Sequence, residues 1–402
     1  MIKVVMVTKI TPKSHYSRQL LQGFAKSGLL NNKVSLLIYA SKSEMITDIS
    51  YGKAVWTSTL YPFQIFKELL KDRPNILHIQ HEFNMFGPFY ATSIFHLLIV
   101  LAKLVKARVV TTVHAVVPLK MITKEFAKDF MDIYIPIIII KMLFRIFYRL
   151  TYMLSDAIIV HNNYLKEIYI RDYLHNCSKD MRTKLYVIPH GISTSKDIEN
   201  RYLDYWKKRL DSKRIILYFG YICPRKRIGC LIKAFKYFSK QHPNFILVIA
   251  GGIPTRYIKY FNNIKEMIHR LGIKDKVLIT GFITEEDIDA LFKLAEVVIF
   301  PYKYQISSSG PLTFAIKHKK PIIATKGKIF EEEINNAALI VNADPYEIAK
   351  AIERILNDPL LKLSLQKAMK KIYLARKWER IAQRVYSLYL NILNETGKAT
   401  RK

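Results

Sequence analysis

The sequence predicts an α/β protein built from two doubly wound parallel-sheet domains of the Rossmann-like kind, and three observations lead to this prediction. The chain has 402 residues, and surface-to-volume scaling favours two cores at that length. Short, continuous, β-branched apolar runs alternate with helix-period segments, as expected for strands that helices cover on both faces. The alternation pauses at a charged, helix-like segment, residues 200–213, and then begins again.

Each half contains six predicted strands. In the first half they lie at residues 3–7, 34–38, 76–79, 109–113, 157–160 and 185–188. In the second half they lie at residues 215–219, 245–250, 276–279, 297–300, 321–324 and 339–341. We therefore predict domains at residues 1–195 and 196–375, and a C-terminal helix, residues 376–402, that packs back on the first domain. The turn Pro189-His190-Gly191-Ile192 between them is a candidate hinge.

The charge balance predicts an anionic partner. The chain carries 64 Lys and Arg against 32 Asp and Glu, a formal charge of +32. Nucleic acid, an anionic bilayer and phosphate-bearing ligands all satisfy this charge, which by itself does not separate them. Cys177, Cys223 and Cys230 form neither a disulfide framework nor a metal knuckle, so we expect a reducing cytosol. The N-terminal run resembles a first strand and not a signal peptide.

Two apolar stretches raise the question of a membrane. Residues 83–102 are uncharged, but polar residues dilute their first half, which favours a buried helix over a spanning one. Residues 133–154 place Lys141, Arg145 and Arg149 at spacings of four among aliphatic and aromatic residues, with Pro136 expected in the first turn. This pattern fits a helix lying in a membrane interface and, equally well, a domain helix whose cations face water.

A basic turn follows the first strand of the second half. Gly220 ends the strand, and Arg225, Lys226 and Arg227 follow after Pro224. Cations in a strand-to-helix turn lie outside the carboxyl edge of the sheet, where they can clamp a diphosphate and offset its growing charge as it departs. We favour this interpretation over a solvated basic turn.

A helix start offers a second anion site. Ser308, Ser309 and Gly310 precede Pro311 and Leu312, residue types that cap and begin a helix. Free amides and the positive end of the helix dipole bind phosphate without a charged side chain. An ordinary capped helix explains the same residues as well.

Histidines follow two strands of the first half. His78, His81 and Glu82 end one predicted strand, and His114 ends the next. We expect no metal site, because His78 and His81 point to opposite faces of a strand. For His114 we favour a role at the carboxyl edge of the sheet over that of a core histidine.

Ten segments of the chain, taken in order, resemble the retaining glycosyltransferases of family 4, the group 1 glycosyl transferases. They are ILHIQHEF (76–83), VVTTVHAV (109–116), SDAIIVHN (155–162), VIPHGI (187–192), YFGYICPRKR (218–227), IAGG (249–252), GFITEEDIDALF (281–292), FPYKYQISSSGPL (300–312), KKPIIAT (319–325) and WERIAQRVYSLY (378–389). The resemblance implies the GT-B fold, two Rossmann-like domains facing across a cleft.

The resemblance also assigns donor contacts. Lys226 corresponds to the family's phosphate-binding lysine, but Tyr221 stands where an arginine normally follows the glycine. Either Arg225 or Arg227 replaces that arginine, or the phosphate grip is weaker.

Two carboxylates of the family are missing. Ile306 and Phe314 occupy the places of glutamates that bind donor sugar and ribose in many members. Glu331 and Glu332 follow nearby; a ribose contact and a solvated acidic helix start account for them equally well.

On the acceptor side, the resemblance places His114 near the donor sugar and the acceptor hydroxyl. The first strand is followed by a loop without glycine, in which Lys13 or Ser14 could contact the ligand. The remaining candidate acceptor contacts are His15, His81 and Glu82.

The resulting hypothesis is a hexosyltransferase that uses a nucleotide sugar, no cofactor and no metal, and has no obligatory protein nucleophile. Its expected partners are a glycan or lipid-linked acceptor and an anionic membrane surface at the inner face of the cell membrane, where the protein would be cytoplasmic and peripheral. Nucleic acid is not expected, since recognisable nucleic-acid motifs are missing and the basic residues are spread along the chain. A catalytically inactive GT-B scaffold and a basic nucleic-acid-binding protein remain the alternatives.

Overall fold

The computed structural model describes most of the chain and divides it into two compact units. The described residues are 1–10, 15–43, 51–57, 59–83, 85–86, 89–131, 135–174, 183–194 and 198–399. Unit 1 comprises Met1–Gly191, Ile306–Ser308 and Arg376–Lys402, and unit 2 comprises Ile192–Gln305 and Ser309–Ala375.

Unit 1 contains, in the ranges described, a seven-stranded parallel sheet. Its strands are β1 (Ile2–Val7), β2 (Val34–Ser41), β3 (Gly52–Trp56), β4 (Ile76–His81), β5 (Arg108–Val113), β6 (Ala157–Val160) and β7 (Leu185–Val187). Its helices begin with α1 (Tyr16–Lys26), α2 (Tyr61–Asp72), α3 (Phe95–Leu104), α4 (Lys124–Phe126), α5 (Ile137–Leu154) and α6 (Asn163–Ile168). The spatial order of the strands is β3-β2-β1-β4-β5-β6-β7.

Unit 2 contains a six-stranded parallel sheet within the same described part. The strands are β8 (Arg214–Phe219), β9 (Phe245–Ala250), β10 (Val277–Gly281), β11 (Ala295–Phe300), β12 (Ile322–Thr325) and β13 (Ala338–Val341), in the order β10-β9-β8-β11-β12-β13. The helices are α7 (Asn200–Arg209), α8 (Ile228–Phe238), α9 (Ile258–Arg270), α10 (Glu285–Leu294), α11 (Gly310–Lys317), α12 (Lys328–Glu333), α13 (Pro345–Asn357) and α14 (Pro359–Ala375). The last helix, α15 (Trp378–Ala399), belongs to unit 1.

The two parallel α/β sheets confirm the predicted fold class. All twelve predicted strands coincide with strands of the structure. β4 and β9 are buried at every position, as expected for strands that helices cover on both faces. The prediction missed β3, whose five residues include Gly52 and Lys53 and whose first three positions are not buried.

The strand order fixes where ligands can bind in each unit. The order reverses between β1 and β4 in unit 1, and between β8 and β11 in unit 2. Loops leaving such a pair of neighbouring strands diverge and open a crevice at the carboxyl edge of the sheet. In unit 2 these are the loops that follow Phe219 and Phe300.

The two apolar stretches form helices that pack on unit 1. None of the helices in the described ranges combines the length and the apolarity needed to cross a bilayer. The first stretch gives α3, in which four residues are buried. The second gives α5, which begins at Ile137, so Pro136 lies one position before the helix and not within its first turn.

Helix α15 returns to the sheet of unit 1 beside α1. Phe24 of α1 stacks on Tyr389 with ring centroids 6.3 Å apart, and Tyr389 donates or accepts a 2.7 Å hydrogen bond with Nδ1 of His78 on β4. A Cβ at Gly23 would lie 2.5 Å from the carbonyl oxygen of Trp378. Helix α15 therefore approaches α1 closely at a glycine.

Replacing that glycine is expected to destabilise unit 1. In Gly23→Ala the added methyl group meets backbone that cannot rotate away, so we expect a net loss of about 1 to 2 kcal/mol even though alanine favours a helix. Urea unfolding measures the change. Gln22→Ala, at the neighbouring exposed position, is the control and should stay within about 0.5 kcal/mol of the parent. Equal stability of both variants would show that α15 does not constrain Gly23.

Candidate functional site

The carboxyl end of β8 in unit 2 is built around closely spaced glycines. Gly220 and Gly251 both adopt positive φ angles, +142° and +144°. A Cβ at Gly251 would overlap the backbone carbonyl of Gly220. Only glycine satisfies both the backbone angle and the close approach, so the loops after β8 and β9 start side by side.

Lys226 lies in the turn that follows. It ends a 3₁₀ turn, Pro224–Lys226, and is only 7% exposed. Its Nζ is 3.2 Å from the centroid of the Tyr302 ring. Burial, and then the charge of Arg225, lower the pKa of Lys226 well below its usual value. Among the described residues, no carboxylate is found to act on the Lys226 ammonium group.

A buried ammonium group without a counter-ion is costly, and its cost falls when an anion binds beside it. The Tyr302 ring offsets part of that cost through its negative face. The part of the desolvation cost that the ring does not offset would be reduced by an anionic ligand bound beside Lys226.

The loop after β11 completes this site. Tyr302 follows β11, and its hydroxyl is 3.2 Å from Oγ of Ser309, the residue that precedes the first turn of α11. Lys303 donates a 2.8 Å backbone hydrogen bond to the carbonyl oxygen of Arg225. Pro311 would lie 3.5 Å from a Cβ at Gly220. The loops after β8 and β11 therefore meet at the amino end of α11.

Four of the predicted donor residues thus share one place in unit 2: Gly220, Arg225, Lys226 and Ser309. Gly310 is exposed at the start of α11, where amides and the helix dipole favour an anion. Leu312 is 1% exposed and its amide bonds to the Ser309 carbonyl, so it supports the helix start from the core. Ser308 falls in unit 1, together with Ile306, whose carbonyl accepts a 2.9 Å hydrogen bond from Val116.

Two exposed aromatic rings flank the same sheet edge, and the sequence reasoning did not select them. Tyr221 is 58% exposed and Phe282, after β10, is 81% exposed. A Cβ at Gly252 would lie 3.7 Å from the Tyr221 ring and 3.8 Å from the Phe282 ring. Exposed aromatic rings grouped around a glycine offer a flat apolar surface. Their position directly after β8 and β10 was the available signal.

The acidic helix α12 follows β12 at this edge. Glu331 pairs with Lys328 at 3.0 Å on the exposed side of the helix. Glu332 is exposed, and Glu333 is buried. The structure thus leaves both sequence interpretations of Glu331 and Glu332 available.

Unit 1 places His114 in a chain of buried and partly buried hydrogen bonds. His161 Nδ1 donates to the carbonyl oxygen of Ile188 at 3.0 Å, so its Nε2 accepts from His114 Nδ1 at 2.9 Å when both rings are neutral. Burial keeps them neutral, since it lowers the pKa of His161 to about 3 and that of His114 well below 6.5.

The neutral state fixes the Gln80 amide. His114 Nε2 must then accept, and its partner 2.9 Å away is the side-chain amide of Gln80. The Gln80 oxygen is placed toward His114, and the Gln80 nitrogen lies 3.1 Å from His78 Nε2, which is also 2.7 Å from Thr112 Oγ1. With neutral rings we infer the rotated amide, in which the nitrogen donates to His114 and the oxygen accepts from His78. His78 Nδ1 accepts from the Tyr389 hydroxyl at 2.7 Å. Both ring nitrogens of His114 are thus engaged, and a sugar hydroxyl would have to replace one of these bonds.

Further rings surround this chain, and the sequence reasoning did not select them either. The Tyr16 ring lies 4.8 Å from that of His114, 5.1 Å from His190 and 4.9 Å from Trp378. Its hydroxyl is buried and has no hydrogen-bond partner in the described structure. His161 directly follows β6, and His190 comes three positions after the end of β7. This is the same kind of signal that singled out His114.

The candidate acceptor residues do not all lie together. His15 precedes α1 and accepts a 3.5 Å bond from Ser17, and burial lowers its pKa to about 4. His81 is 2% exposed among the rings of Phe83, Phe95 and Phe147, on the opposite face of β4 from His78. An acceptor contact from the His81 ring is therefore not available at the sheet edge, because aromatic side chains enclose it. Glu82 is exposed just after β4.

Two predictions concern residues outside the described ranges, those on Lys13 and Ser14. In the described ranges, no group of three or more His, Cys, Asp or Glu side chains is arranged to hold a metal ion.

The two parallel-sheet units define the class of protein, an α/β chain with two Rossmann-like halves. Residues 204–377 match the family of glycosyl transferases group 1. The matched segment lies in the second half of the chain and is similar to the group 1 glycosyl transferases, the family that the motifs resemble.

Curated relatives match along part of the chain. An alpha-D-kanosaminyltransferase of Streptomyces kanamyceticus is 29% identical over 156 residues, 38% of this chain and 39% of that protein. An uncharacterized glycosyltransferase, MJ1607 of Methanocaldococcus jannaschii, is 26% identical over 192 residues, 47% of each protein. The chain spans about half the length of the first curated relatives it matches.

Solved structures match nearly the whole chain. HepE of Anabaena, in a crystal structure with UDP and glucose, superposes with a TM-score of 0.73 at 14% identity, covering 97% of this chain and 100% of HepE. This likeness shows the GT-B fold.

Proposed function

We propose that this chain is a glycosyltransferase that moves a hexose from a nucleoside-diphosphate sugar to a glycan or lipid-linked acceptor at the cytoplasmic face of a membrane. The observation that carries the proposal is Lys226, a buried cation without an acidic partner in the described residues, beside the amino end of α11. The group 1 family match supports sugar transfer. The shared fold with HepE, whose crystal holds UDP and glucose, supports a nucleotide-sugar donor.

The site supplies electrostatic support for a leaving diphosphate. Lys226 and Arg225 would bind its phosphates, and the amides at the start of α11 would face the remaining oxygens. Charge grows on the leaving diphosphate in the transition state, so groups fixed in advance at that position lower the barrier. Neither metal nor cofactor is needed for this contribution.

The proposed stereochemical course is retention. The two glutamates that many relatives carry are replaced here by Ile306 and Phe314. Front-face attack assisted by the departing phosphate needs no protein carboxylate as nucleophile. What the protein supplies is alignment of the acceptor hydroxyl with the anomeric carbon, and we assign the His114 region of unit 1 to the acceptor side.

A panel of donors tests the proposal. A thermal-shift screen with UDP-, GDP- and ADP-sugars identifies the donor, because a ligand that prefers the native state raises its melting temperature. Release of the nucleoside diphosphate with transfer of the sugar then establishes catalysis. Binding without turnover on any acceptor would favour an inactive scaffold.

The exposed rings of Tyr221 and Phe282 are expected to hold the donor's base. Stacking of a base on an aromatic side chain is worth about 1 to 3 kcal/mol. Tyr221→Ala and Phe282→Ala should therefore each raise the donor KM by about 5- to 150-fold, with a smaller change in kcat. The matched control is Tyr237→Ala on α8, where the ring is 52% exposed. A donor KM equal to the parent's in both site variants would show that these rings do not contact the base.

A further inference from the structure

The outer face of α5 is apolar although it is exposed. One side of this helix packs into unit 1 through Ile140, Phe144 and four more residues. The other side consists largely of aliphatic and methionine side chains that are 36–76% exposed: Ile138, Ile139, Met142, Leu143, Ile146, Leu150 and Met153. A surface helix of a globular protein normally carries polar residues there.

Helix α3 continues this surface. His96 Nε2 lies 3.0 Å from the Phe147 carbonyl oxygen and 3.0 Å from Thr151 Oγ1, which fixes α3 against α5. Val100 and Leu104 follow one and two turns later on the same side of α3, and they are 42% and 67% exposed. The apolar surface therefore extends over two neighbouring helices of the same unit.

Cations border the apolar side chains. Lys141, Arg145 and Arg149 recur every four residues and form one stripe along α5. Lys103 and Lys106 are exposed at the end of α3. Neither α3 nor α5 contains an aspartate or a glutamate.

This combination discriminates between partners. A second copy of the chain, paired face to face, would bring the cation stripe of each copy against that of the other, with no acidic residue on either helix to relieve the repulsion. Nucleic acid would use the cations but leave the aliphatic side chains in water. An anionic bilayer accepts both, apolar side chains at the acyl boundary and cations at the headgroups.

We propose that the outer face of α5, extended by the end of α3, seats the protein on an anionic lipid bilayer with α5 lying in the plane of the interface. The surface stands on its own geometry, but the role we give it, bringing unit 1 to a lipid-linked acceptor, rests on the proposed function. The sequence of residues 133–154 fitted both a helix in a membrane interface and a domain helix whose cations face water. Our proposal adopts the first of these interpretations.

Vesicle flotation with the full chain tests the proposal. Vesicles of phosphatidylcholine and phosphatidylglycerol in equal parts are compared with vesicles of phosphatidylcholine alone. The parent should float with the anionic vesicles and bind the neutral ones at least tenfold less. The triple variant Ile138→Gln, Met142→Gln, Ile146→Gln, and the triple variant Lys141→Gln, Arg145→Gln, Arg149→Gln, should each reduce anionic binding by about tenfold or more.

Matched controls remove the same chemistry from α14 of unit 2. Leu360→Gln with Leu363→Gln removes exposed leucines, 80% and 46% exposed, and Lys367→Gln, Lys370→Gln, Lys371→Gln removes three exposed cations. Both controls should float like the parent. Flotation of the α5 variants at the parent's level would overturn the proposal. So would a parent dimer, seen by analytical ultracentrifugation, that the apolar α5 variant abolishes.

Donor binding separates this inference from the proposed function. Calorimetric affinity for the donor found in the thermal-shift screen should be unchanged in both α5 variants, because the Lys226 site lies in the other unit. Normal flotation without donor turnover would count against the proposed function alone. Normal turnover without flotation would count against the membrane surface alone.

Discussion

Lys226→Met is expected to lower kcat for sugar transfer by about 10²- to 10³-fold, the range found when one preorganised charge-stabilising group is removed from an active site. Methionine keeps most of the side-chain volume beside Tyr302 but cannot offset charge on a leaving diphosphate. The variant should fold at least as stably as the parent, because the buried ammonium group has no acidic partner among the described residues and gains little from its position without a ligand. Initial rates with saturating donor measure the effect.

The control for this variant is Lys240→Ala. Lys240 is exposed just after the carboxyl end of α8, at the edge of the sheet opposite to Lys226. It should keep the parent's kcat, which shows that general loss of positive charge is not responsible. A folded Lys226→Met variant with the parent's kcat would show that Lys226 has no role in sugar transfer.

The second large effect is a loss of stability in mild acid. Seven histidines of unit 1 are buried or half-buried and have lowered pKa values: about 3 for His78, His81 and His161, about 4 for His15, His96 and His190, and well below 6.5 for His114. Burial is the largest cause in each case. The unfolded chain binds these protons near pH 6.5 and the folded chain does not, so stability is present above pH 6.5 and is lost as the pH falls toward the folded values.

Each such histidine lowers the free energy of unfolding by about 1.4 kcal/mol between pH 7.5 and pH 5.5. The free energy of unfolding, measured with urea at several pH values, should therefore fall toward low pH. Its slope near pH 5.5 should correspond to the uptake of about six protons on unfolding, and unit 1 should unfold on mild acidification. His161→Gln, which retains a donor and an acceptor, should reduce the uptake by about one proton. A pH-independent free energy of unfolding over this interval would show that these rings are not held neutral.

The fold was predictable because parallel strands covered on both faces tend to be continuous apolar runs, a pattern that is local in the sequence. β9 is apolar at every position, and such a pattern can be recognised without any tertiary information. β3 shows no such pattern, because an edge strand needs burial on fewer positions and Lys53 and Gly52 interrupt it. Short strands at sheet edges are therefore the ones that pattern alone loses.

The candidate site was predictable only in part, for a related reason. Gly220, Lys226 and Ser309 could be selected because they stand at strand ends and a helix start, which are local features. The ring of Tyr302 beneath Lys226 and the buried position of His81 depend on residues far away in sequence.

The same limit applies to the rings around His114. Its partner Gln80 lies on a neighbouring strand, and Trp378 comes from the last helix of the chain. No spacing rule connects these residues. Their proximity follows from the strand order β1-β4-β5-β6 and from the return of α15 to unit 1.

The central claim is that Lys226 and the start of α11 hold the diphosphate of the donor, and a crystal structure with the nucleoside diphosphate of the identified donor tests it most directly. We expect phosphate oxygens within hydrogen-bonding distance of Lys226 Nζ and of the backbone amides at Ser309 and Gly310. A diphosphate bound elsewhere on the chain, with the Lys226 ammonium still resting on the Tyr302 ring and touching no phosphate, would contradict the account.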